Sequence, residues 1–566
     1  MHIITFMPVL FLLMQPNVIY GEVFTALVDM EGLISTELEL VRHLDNYIQA
    51  EETRLKQLRK YLEEYESIYQ EASADVTKYL ANPINAYLLV KRLTADWKQV
   101  EGVMTQNVGP AFVHNITQHR GVLRFPSDED LNGAAVALMR LQDTYKLDTH
   151  ALAEGKLLGK KYSRQLTGNT NCSGEFLQLI TLSIINCIAG DCWELGRQSY
   201  NNGDHYHTVL WMGEALNKFE DESNKTVSRQ DILEYLAFST FKQGNVKEAL
   251  QLTHELLKIV PFHQRALGNK KYYEDLLRQQ GVIQRRGETG DVENMIMDEP
   301  FNTANLKLTK PSDHLPEREN YEKLCRGEKL MDPKIEGRLR CRLVTNNVPF
   351  LYIQPVKMEE AYHKPLIVIY PNVISDDEME TVKKMAQPRF KRATVQNSVT
   401  GNLEPANYRI SKSAWLKSEE HDHVLKVTRR VGAITGLDMA TAEDLQVVNY
   451  GIGGHYEPHF DYARKEEVNA FKDLGWGNRV ATWLFYMSDV EAGGATVFPK
   501  LNLALWPQKG SAAFWYNLHP NGEGNELTRH AACPVLTGSK WVSNKWIHER
   551  NQEFRHPCGL KYDTGM

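Results

Sequence analysis

The sequence lacks several features that would place it in other classes of protein. Lys and Arg number 65 against 72 Asp and Glu, and this absence of a basic excess argues against a dedicated nucleic-acid-binding protein. After the first residues no apolar run reaches about 18, so no transmembrane helix is expected. The 22 Pro and 37 Gly are too few for a triple-helical fibre. Hydrophobic residues make up 42% of the 566, enough for several buried cores.

The cysteines and the N-terminus indicate the compartment. None of the seven Cys forms a CxxC pair, which argues against a zinc knuckle or a redox-active dithiol. A short apolar run at 3–13, followed by the small residue Gly21, predicts a secretory signal peptide over residues 1–21. In the secretory pathway the sequons at Asn115 and Asn224 become candidate glycosylation sites.

Residues 22–160 are predicted to form an all-α module. Between 27 and 75 apolar residues recur at three- and four-residue spacing with charged residues between them, which predicts one long helix with a coiled-coil seam. An ordinary helix of a bundle is the alternative. Further helices are expected at about 83–106 and 128–146, and we expect the module to self-associate.

Two similar helix–turn–helix units follow at an offset of 41 residues. Leu195-Gly196 with Gly203 in the first realigns with Leu236-Ala237 and Gly244 in the second. This pattern resembles a tetratricopeptide pair, so we predict a helical peptide-binding domain over 190–281. Aromatic grooves suit Pro-rich peptides. Aromatic residues of helical repeats often belong to the core instead. The candidates for lining the groove are Tyr206, Trp211, Tyr235, Tyr272 and Tyr273.

The C-terminal part changes character. Residues 282–320 are polar and aperiodic and are interpreted as a linker. From 321 to 566 short β-like runs, separated by Gly-rich turns, predict an α+β domain built around a β-sandwich or barrel. Helices are expected near 376–386 and 421–435.

This C-terminal domain carries a candidate metal site. In His459-Phe-Asp461 the imidazole and the carboxylate are two residues apart, so on a strand both point to one face. His530 near a later β-like segment supplies a third ligand. Two histidines and one carboxylate on one face of an iron leave positions open for a co-substrate and oxygen. Ten residues after His530, Lys540 is a candidate anchor for the distal carboxylate of a dicarboxylic keto acid.

Nearby residues offer competing assignments. His455 lies four residues before His459, and we interpret it as a turn residue rather than a ligand. Glu457 offers a second carboxylate, but the His-x-Asp pattern favours Asp461. Lys545 is the nearest alternative to Lys540.

These motifs resemble a known family, the α subunit of collagen prolyl 4-hydroxylase, along essentially the whole chain after the signal peptide. The resemblance covers the segments 203–212 and 321–328 and is densest at 477–489, 493–499 and 540–546. It implies a double-stranded β-helix (jelly-roll) catalytic domain in which His459, Asp461 and His530 bind Fe(II). Lys540 then pairs with 2-oxoglutarate.

The resemblance carries further expectations. Tyr450 and Thr496 lie beside the co-substrate and Trp546 near the substrate end. The cofactors are Fe(II), 2-oxoglutarate, O2 and ascorbate, and the reaction is 4-hydroxylation of proline in Xaa-Pro-Gly of procollagen-like chains. The partner is protein disulfide isomerase in an α2β2 tetramer in the lumen of the endoplasmic reticulum. The implied disulfides are Cys325–Cys341 and Cys533–Cys558. Alternatives are hydroxylation of other Pro-rich secreted proteins and a non-catalytic scaffold that binds Pro-rich chains.

One segment departs from the family pattern. Residues 168–189 intrude before the expected Asp191-Cys192 motif and contain two further cysteines. Their ends can be encoded as splice-donor and splice-acceptor strings, which favours a retained in-frame intron over a natural loop insertion. Sequencing the spliced transcript distinguishes the two, because a majority of messages containing these codons would refute the intron.

Overall fold

The computed structural model describes residues 27–119, 125–157, 160–161, 188–281, 301, 303–310, 315–396, 403–467, 470–471 and 474–560. The predicted signal peptide and residues 168–187 of the insert lie outside these ranges. The chain forms two compact units, Val28–Ser127 and the part from Asp128 onward. None of the helices described has the length and apolar character needed to cross a membrane.

The described residues of the smaller unit form helices and short connections. Its elements are α1 (Leu27–Ala74), α2 (Val76–Ala81), α3 (Pro83–Lys91), α4 (Trp97–Thr105) and α5 (Gly109–His119). The single 48-residue α1 confirms the predicted long helix. Much of its seam is solvent-exposed in the isolated chain, with Val41 at 54%, Leu44 at 58% and Leu55 at 48% exposure. Such an apolar stripe gains stability only when a partner covers it.

The larger unit begins with the remaining helices of the N-terminal half. These are α6 (Asp128–Tyr145), α7 (Thr149–Ala153), α8 (Ala189–Asn201), α9 (His205–Asp221), α10 (Arg229–Lys242), α11 (Val246–Ile259) and α12 (Gln264–Gln279). By compactness the chain divides at 127/128, because α6 and α7 pack against the later helices. The domain boundary expected at 160 stays a prediction. The insert's last residue, Ala189, begins α8 and is fully buried.

The two repeats have the predicted helix–turn–helix form. Gly203 and Gly244 occupy the turns with φ of +75° and +85°, a region that favours glycine. Gly196 permits a close approach of α8 and α9, because a Cβ there would lie 2.9 Å from the Met212 side chain. Part of the predicted linker packs on this domain. The backbone N–H of Lys307 donates to Oδ1 of Asn245, and Nδ2 of Asn245 donates to the Lys307 carbonyl oxygen.

In its described residues the C-terminal domain contains five α-helices and most of the strands. The helices are α13 (Arg318–Cys325), α14 (Pro333–Glu336), α15 (Pro349–Ile353), α16 (Asp376–Ala386) and α17 (Asp422–Thr435). A capping box between Ser375 and Glu378 starts α16 where the sequence predicts it. Its strands, after the short β1 (Lys156–Leu157) and β2 (Lys160–Lys161), are β3 (Cys341–Val344), β4 (Val356–Tyr362), β5 (Ile367–Tyr370), β6 (Lys391–Arg392), β7 (Thr394–Gln396), β8 (Leu403–Pro405), β9 (Arg409–Ile410), β10 (Lys412–Leu416), β11 (Leu445–Tyr450), β12 (His455–His459), β13 (Arg479–Tyr486), β14 (Ala492–Gly493), β15 (Thr496–Phe498), β16 (Leu503–Leu505), β17 (Ala512–Tyr516), β18 (His530–Ala532), β19 (Val535–Thr537) and β20 (Lys540–His548).

Two sheets enclose the core of this domain. The larger has nine strands in the order β3-β4-β5-β17-β13-β20-β11-β10-β6, and the smaller has five in the order β16-β15-β18-β12-β9. Side chains of both sheets, such as Val448 and Leu484 from one and Phe498 and Leu503 from the other, share one buried cluster. This is the predicted double-stranded β-helix, and with the two helical parts it confirms the predicted fold class.

The cysteine pairing differs from the prediction. The structure joins Cys325 to Cys533 with a Cα–Cα distance of 5.5 Å, whereas Cys341 and Cys558 are exposed free thiols. The predicted pairs 325–341 and 533–558 are therefore wrong for this structure. The reason is packing, because α13 lies against the strands β15 and β18, and this brings Cys325 and Cys533 into one buried cluster.

The predicted glycosylation sites are both exposed. Asn115 lies on α5 and Asn224 in the loop between α9 and α10. Their occupancy stays a prediction.

His207 on α9 is buried between two carboxylates. Its Nδ1 lies 2.6 Å from Asp204 and its Nε2 3.4 Å from Asp143 on α6. Burial alone would lower the pKa of His207, but hydrogen bonding and charge from Asp143 and Asp204 outweigh it and raise the pKa to about 9.

We therefore predict that the unfolding temperature depends on this cluster. A histidine pKa above its unfolded value stabilises the fold fully below about pH 6.5, and the gain is lost as pH rises through about 9. Asp143→Asn removes one carboxylate charge and should cost about 1–2 kcal/mol at pH 7. Thermal unfolding from pH 6 to 10 measures this, with Glu129→Gln, an exposed change on the same helix, as control. Equal pH profiles for both variants would contradict the prediction.

Candidate active site

Two neighbouring strands of the smaller sheet bring the predicted metal ligands together. His459 ends β12 and His530 begins β18, and the antiparallel register sets these two residues opposite each other. Asp461 follows β12 by two residues. Among the residues described, these three form the one cluster of potential ligands whose donor atoms all lie within 4.8 Å of one another.

The imidazoles are oriented for metal binding. Nδ1 of His459 lies 2.7 Å from the Glu457 carbonyl oxygen, and Nδ1 of His530 lies 3.0 Å from that of Thr528. Each Nδ1–H therefore donates to backbone and leaves the Nε2 lone pair free. Nε2 of His459 is 3.7 Å from Oδ1 of Asp461, and Nε2 of His530 is 3.6 Å from Oδ2.

The charge states also suit a divalent metal. Burial alone would raise the pKa of Asp461, but His530, His459 and Arg479 lower it to about 2. Burial lowers the pKa of His459 well below its ordinary value. The Thr482 hydroxyl donates a hydrogen bond of 2.8 Å to Oδ2 of Asp461 and fixes the carboxylate. An ionised carboxylate and a neutral imidazole are the forms that bind metal, so these residues fit Fe(II).

Lys540 is a buried cation next to these ligands. It begins β20, is 1% exposed and lines the same small cavity as His459, Asp461 and His530. No carboxylate of the described residues forms an ion pair with it, and its Nζ lies 3.5 Å from Oγ1 of Thr496. Burial lowers the pKa of Lys540 to about 7. An isolated buried ammonium is costly unless an anion pairs with it, so the cavity fits a carboxylate of a keto acid.

Tyr450 and Thr496 lie where the sequence predicts. Both line the cavity, at 5% and 3% exposure. The ammonium of Lys540 is 5.5 Å from the centre of the Tyr450 ring. Oγ1 of Thr496 accepts a hydrogen bond of 2.9 Å from the Tyr486 hydroxyl, which orients it beside Lys540.

Trp546 marks the opening of the cavity. It lines both the ligand cavity and an adjoining open cleft. Along β20 Lys540 and Trp546 share one face of the strand, whereas Lys545 has the opposite orientation. Lys545 lies opposite Trp483 on β13 and is absent from the cavity lining, which excludes it as the anchor. His455 and Glu457 line a different cavity, in agreement with the interpretation that neither is a ligand.

Sequence reasoning missed two residues on the wall of the site. The Tyr456 ring stacks on His459 with centroids 3.5 Å apart. The Arg409 guanidinium lies 4.8 Å from the Tyr456 ring and donates to the Thr394 carbonyl and the Gln446 side chain. Arg409 lines both the cavity and the cleft. Period-two alternation along β12 gave no signal for Tyr456, because a bulge separates it from His459.

A second group of missed residues supports the cleft. The Arg479 guanidinium donates hydrogen bonds to both carboxylate oxygens of Glu443 and, at 3.3 Å, to the Asp461 carbonyl oxygen. Its central carbon also lies 3.8 Å from the centre of the Trp546 ring. The buried His548 is bonded to Glu443 at 2.9 Å. Arg479 thus connects a ligand-bearing loop with the residue at the opening. The signal available was the position of His548, on the same face of β20 as Lys540 and Trp546.

The predicted peptide-binding aromatics separate into two groups. Trp211 and Tyr273 are each 1% exposed and belong to the helical core, so their assignment to a groove is wrong. Tyr206 is half-buried beside His207. Tyr235 is half-buried and Tyr272 is 54% exposed.

Tyr235 and Tyr272 belong to a continuous row of rings on the helical domain. We define this aromatic row by its residues, in which each ring lies within 6.3 Å of another, as Tyr200, His205, Tyr235, Phe238, Phe241 and Tyr272. Tyr235, Phe238 and Phe241 lie three residues apart on α10, a spacing from which the row could have been predicted. A cavity beside it is lined by Tyr200, Tyr235 and Phe238.

Two histidines, one carboxylate and a buried lysine inside a double-stranded β-helix define an Fe(II)- and 2-oxoglutarate-dependent oxygenase. Comparison with known families agrees. Three family models match, described as the prolyl 4-hydroxylase alpha-subunit N-terminal region at residues 26–159, the prolyl 4-hydroxylase peptide-substrate-binding domain at 189–279 and the 2OG-Fe(II) oxygenase superfamily at 445–548.

Curated relatives match over nearly the whole length. Prolyl 4-hydroxylase subunit alpha-2 of Caenorhabditis elegans is 47% identical over 559 residues, 98% of this chain and 97% of the relative. Subunit alpha-1 of Homo sapiens is 45% identical over 551 residues, 97% of this chain and 98% of the relative. The chain belongs to the prolyl 4-hydroxylase α-subunit family. This confirms the predicted family, enzyme class and dependence on Fe(II) and 2-oxoglutarate.

A solved structure overlaps less well. The viral collagen prolyl hydroxylase of Paramecium bursaria Chlorella virus-1, in its complex with 2OG, is 24% identical and covers 32% of this chain and 94% of its own, with a TM-score of 0.26. An overlap at this score fixes neither fold nor function.

Proposed function

We propose that the chain is the catalytic subunit of a procollagen-proline 4-dioxygenase, which hydroxylates C4 of proline in Xaa-Pro-Gly and converts 2-oxoglutarate to succinate and CO2. The observation that carries the proposal is the small cavity shared by three metal-ligating side chains and a buried lysine that forms no ion pair with a carboxylate of the described residues. Trp546 connects it to an open cleft. Proline is proposed as the hydroxylated residue because the chain belongs to the prolyl 4-hydroxylase family.

The residues have distinct roles in this proposal. Nε2 of His459 and His530 and the carboxylate of Asp461 would hold Fe(II), which with 2-oxoglutarate and O2 would supply the oxidising chemistry, while ascorbate would act as the reductant that keeps the iron as Fe(II). Lys540 pairs with the distal carboxylate of 2-oxoglutarate, and Tyr450 and Thr496 shape the pocket around it.

The cleft beyond Trp546 receives the substrate. Aromatic side chains make up much of its wall, a surface that suits the flat, apolar pyrrolidine ring. The residues that form this aromatic part are Tyr408, Trp415, Tyr456, Phe460, Tyr462, Phe471 and Trp546. The protein thus places the proline beside the metal ligands, while the buried cavity behind Trp546 keeps the co-substrate away from bulk water.

The assembly and the compartment belong to the same proposal. The exposed apolar seam of α1 supports self-association of two copies through their N-terminal helices. Protein disulfide isomerase completes an α2β2 tetramer, and the enzyme acts in the lumen of the endoplasmic reticulum. Size-exclusion chromatography with light scattering of the co-expressed subunits distinguishes the tetramer from an αβ pair.

The substrate is tested on the enzyme co-expressed with protein disulfide isomerase. A (Pro-Pro-Gly)n peptide and a Pro-rich peptide without Xaa-Pro-Gly are each incubated with Fe(II), 2-oxoglutarate and ascorbate. We expect 4-hydroxyproline only in the first peptide. Modification of the second peptide alone would instead favour other Pro-rich secreted proteins. If neither peptide contains 4-hydroxyproline and the assembled protein contains no iron, the chain is a binding scaffold.

The aromatic row predicts how peptide length affects the reaction. Phe238→Ala removes a central ring of the row and should raise the KM for a long (Pro-Pro-Gly)n peptide about tenfold, as loss of an aromatic anchor does. A short peptide that occupies only the catalytic cleft should keep its KM. Steady-state kinetics with both peptides measures this, with Phe350→Ala, an exposed phenylalanine of the other domain, as control. An equal change for both peptide lengths would contradict the assignment.

A further inference from the structure

Helix α6 lies outside the region that matches the oxygenase family, yet it contacts two domains. On one face it joins the peptide-binding helices, because the Ser199 hydroxyl contacts Sδ of Met139 at 3.1 Å and the Asn202 amide donates to Asn132 at 2.6 Å. Ala135 and Met139 are part of the helical core. The opposite face of α6 meets the catalytic domain.

The first catalytic contact is the turn between β11 and β12. Gly453 in this turn has φ of +72°, and a Cβ built on it would lie 2.7 Å from the Cβ of Ala137. The Arg140 guanidinium donates to the Gly453 carbonyl at 3.0 Å. This turn connects Tyr450, at the end of β11, with the strand that ends at His459. Backbone and helix are therefore in direct contact, with no room for a side chain between them.

The second contact is made by Tyr145 at the end of α6. Its hydroxyl donates to the Pro534 carbonyl at 2.5 Å, and a Cβ on Gly493 would lie 2.6 Å from it. The Pro534 carbonyl also accepts from the backbone of Gly494. A Cβ on Gly494 would lie 3.4 Å from Cδ of Lys540, so this loop touches the stem of the lysine.

Both contacts thus end at the co-substrate cavity. The Gly453 turn positions Tyr450, and the Gly493–Gly494 loop packs on Lys540 and leads two residues later into Thr496. We propose that α6 is a positioning element of the catalytic site, which holds these two loops and thereby fixes the 2-oxoglutarate pocket against the peptide-binding domain. This inference rests on the proposed function, because the affected ligand is the co-substrate of that reaction.

The test compares one substitution at two positions of the same helix. Ala137→Val inserts two methyl groups against the Gly453 backbone, and overpacking of this kind should raise the KM for 2-oxoglutarate about tenfold. The KM for the peptide should stay unchanged. Ala134→Val makes the same change at an exposed position and should match the wild type. Ala137→Gly, which leaves the contact uncrowded, should also retain the wild-type KM for 2-oxoglutarate.

All variants are measured as full chains assembled with protein disulfide isomerase. If the wild type and Ala134→Val release succinate but Ala137→Val shows an unchanged KM for 2-oxoglutarate, the inference is wrong. A lower kcat alone, with that KM unchanged, would also refute it, because it indicates only less folded enzyme. Absence of turnover in every chain, wild type included, would instead count against the proposed function.

A second variant covers the case in which Ala137→Val does not fold. Tyr145→Phe deletes one hydroxyl and keeps the ring in its buried cluster. Loss of its bond to the Pro534 carbonyl should raise the KM for 2-oxoglutarate roughly threefold to tenfold. Equilibrium binding of 2-oxoglutarate to the metal-loaded enzyme without peptide gives an independent readout and should weaken by the same factor. Unchanged affinity in both measurements would overturn the inference.

Discussion

Asp461→Asn is expected to abolish both iron retention and turnover. The substitution keeps the size of the side chain and its acceptor for the Thr482 hydroxyl, but it removes the negative charge between His459 and His530. Asp461 is the one carboxylate of the ligand cluster in the described residues. The loss of iron affinity should exceed the ~10–100-fold loss that follows from mutating residues that only hydrogen-bond to metal ligands.

Iron content and succinate release measure this outcome together. Asp377→Asn, which neutralises a carboxylate 84% exposed in the same domain, serves as the control and should retain both. A purified Asp461→Asn enzyme with wild-type iron content would show that the metal is held elsewhere. Full iron with lost turnover would contradict the assignment of Asp461 as a ligand.

Lys540→Met is expected to raise the KM for 2-oxoglutarate by about 100-fold or more. The substitution keeps an unbranched side chain in the buried site but removes the cation, and a buried charge without its partner costs several kcal/mol. Lys545→Met is the matched control, since it removes a buried lysine of the same strand that points to the opposite face. Its KM for 2-oxoglutarate should remain near that of the wild type. Equal effects of both substitutions would contradict the anchoring role.

The same lysine predicts a pH dependence. Because burial lowers the pKa of Lys540 to about 7, the free enzyme loses this charge as pH rises above 7. A dicarboxylate stabilises the protonated form, so its binding takes up a proton there. The KM for 2-oxoglutarate should therefore increase above about pH 7, by at most roughly tenfold per pH unit, and Lys540→Met should lose this dependence. A flat wild-type profile from pH 6 to 9 would contradict it.

Local signals in the sequence predict much of the fold and the reacting centre. The spacing of apolar residues gives α1 to within a residue at each end, and the capping box gives the start of α16. The His-x-Asp motif predicts His459 and Asp461 as ligands, although only His459 lies on β12 and Asp461 follows the strand by two residues. Lys540 follows from the family motif, which leaves its orientation to be shown by the structure.

Properties that depend on tertiary packing are not predictable in this way. Trp211 and Tyr273 are aromatic residues of the type that can line a peptide groove. Only the packing of the helices shows that they are buried. The pairing of Cys325 with Cys533 spans 208 residues and depends on where α13 docks. The spacing of apolar residues in α6 likewise does not predict that this helix packs against the catalytic domain.

Prolyl 4-hydroxylation at this site is tested most directly by the ratio of the two products in a single reaction. The assembled enzyme is given Fe(II), ascorbate, 2-oxoglutarate and a (Pro-Pro-Gly)n peptide, and succinate and 4-hydroxyproline are quantified together. We expect equal amounts of the two products, both dependent on the peptide and both absent with Asp461→Asn. Succinate formed without peptide hydroxylation, or hydroxylation at another ring carbon, would contradict the claim that this cavity and cleft form a prolyl 4-hydroxylation site.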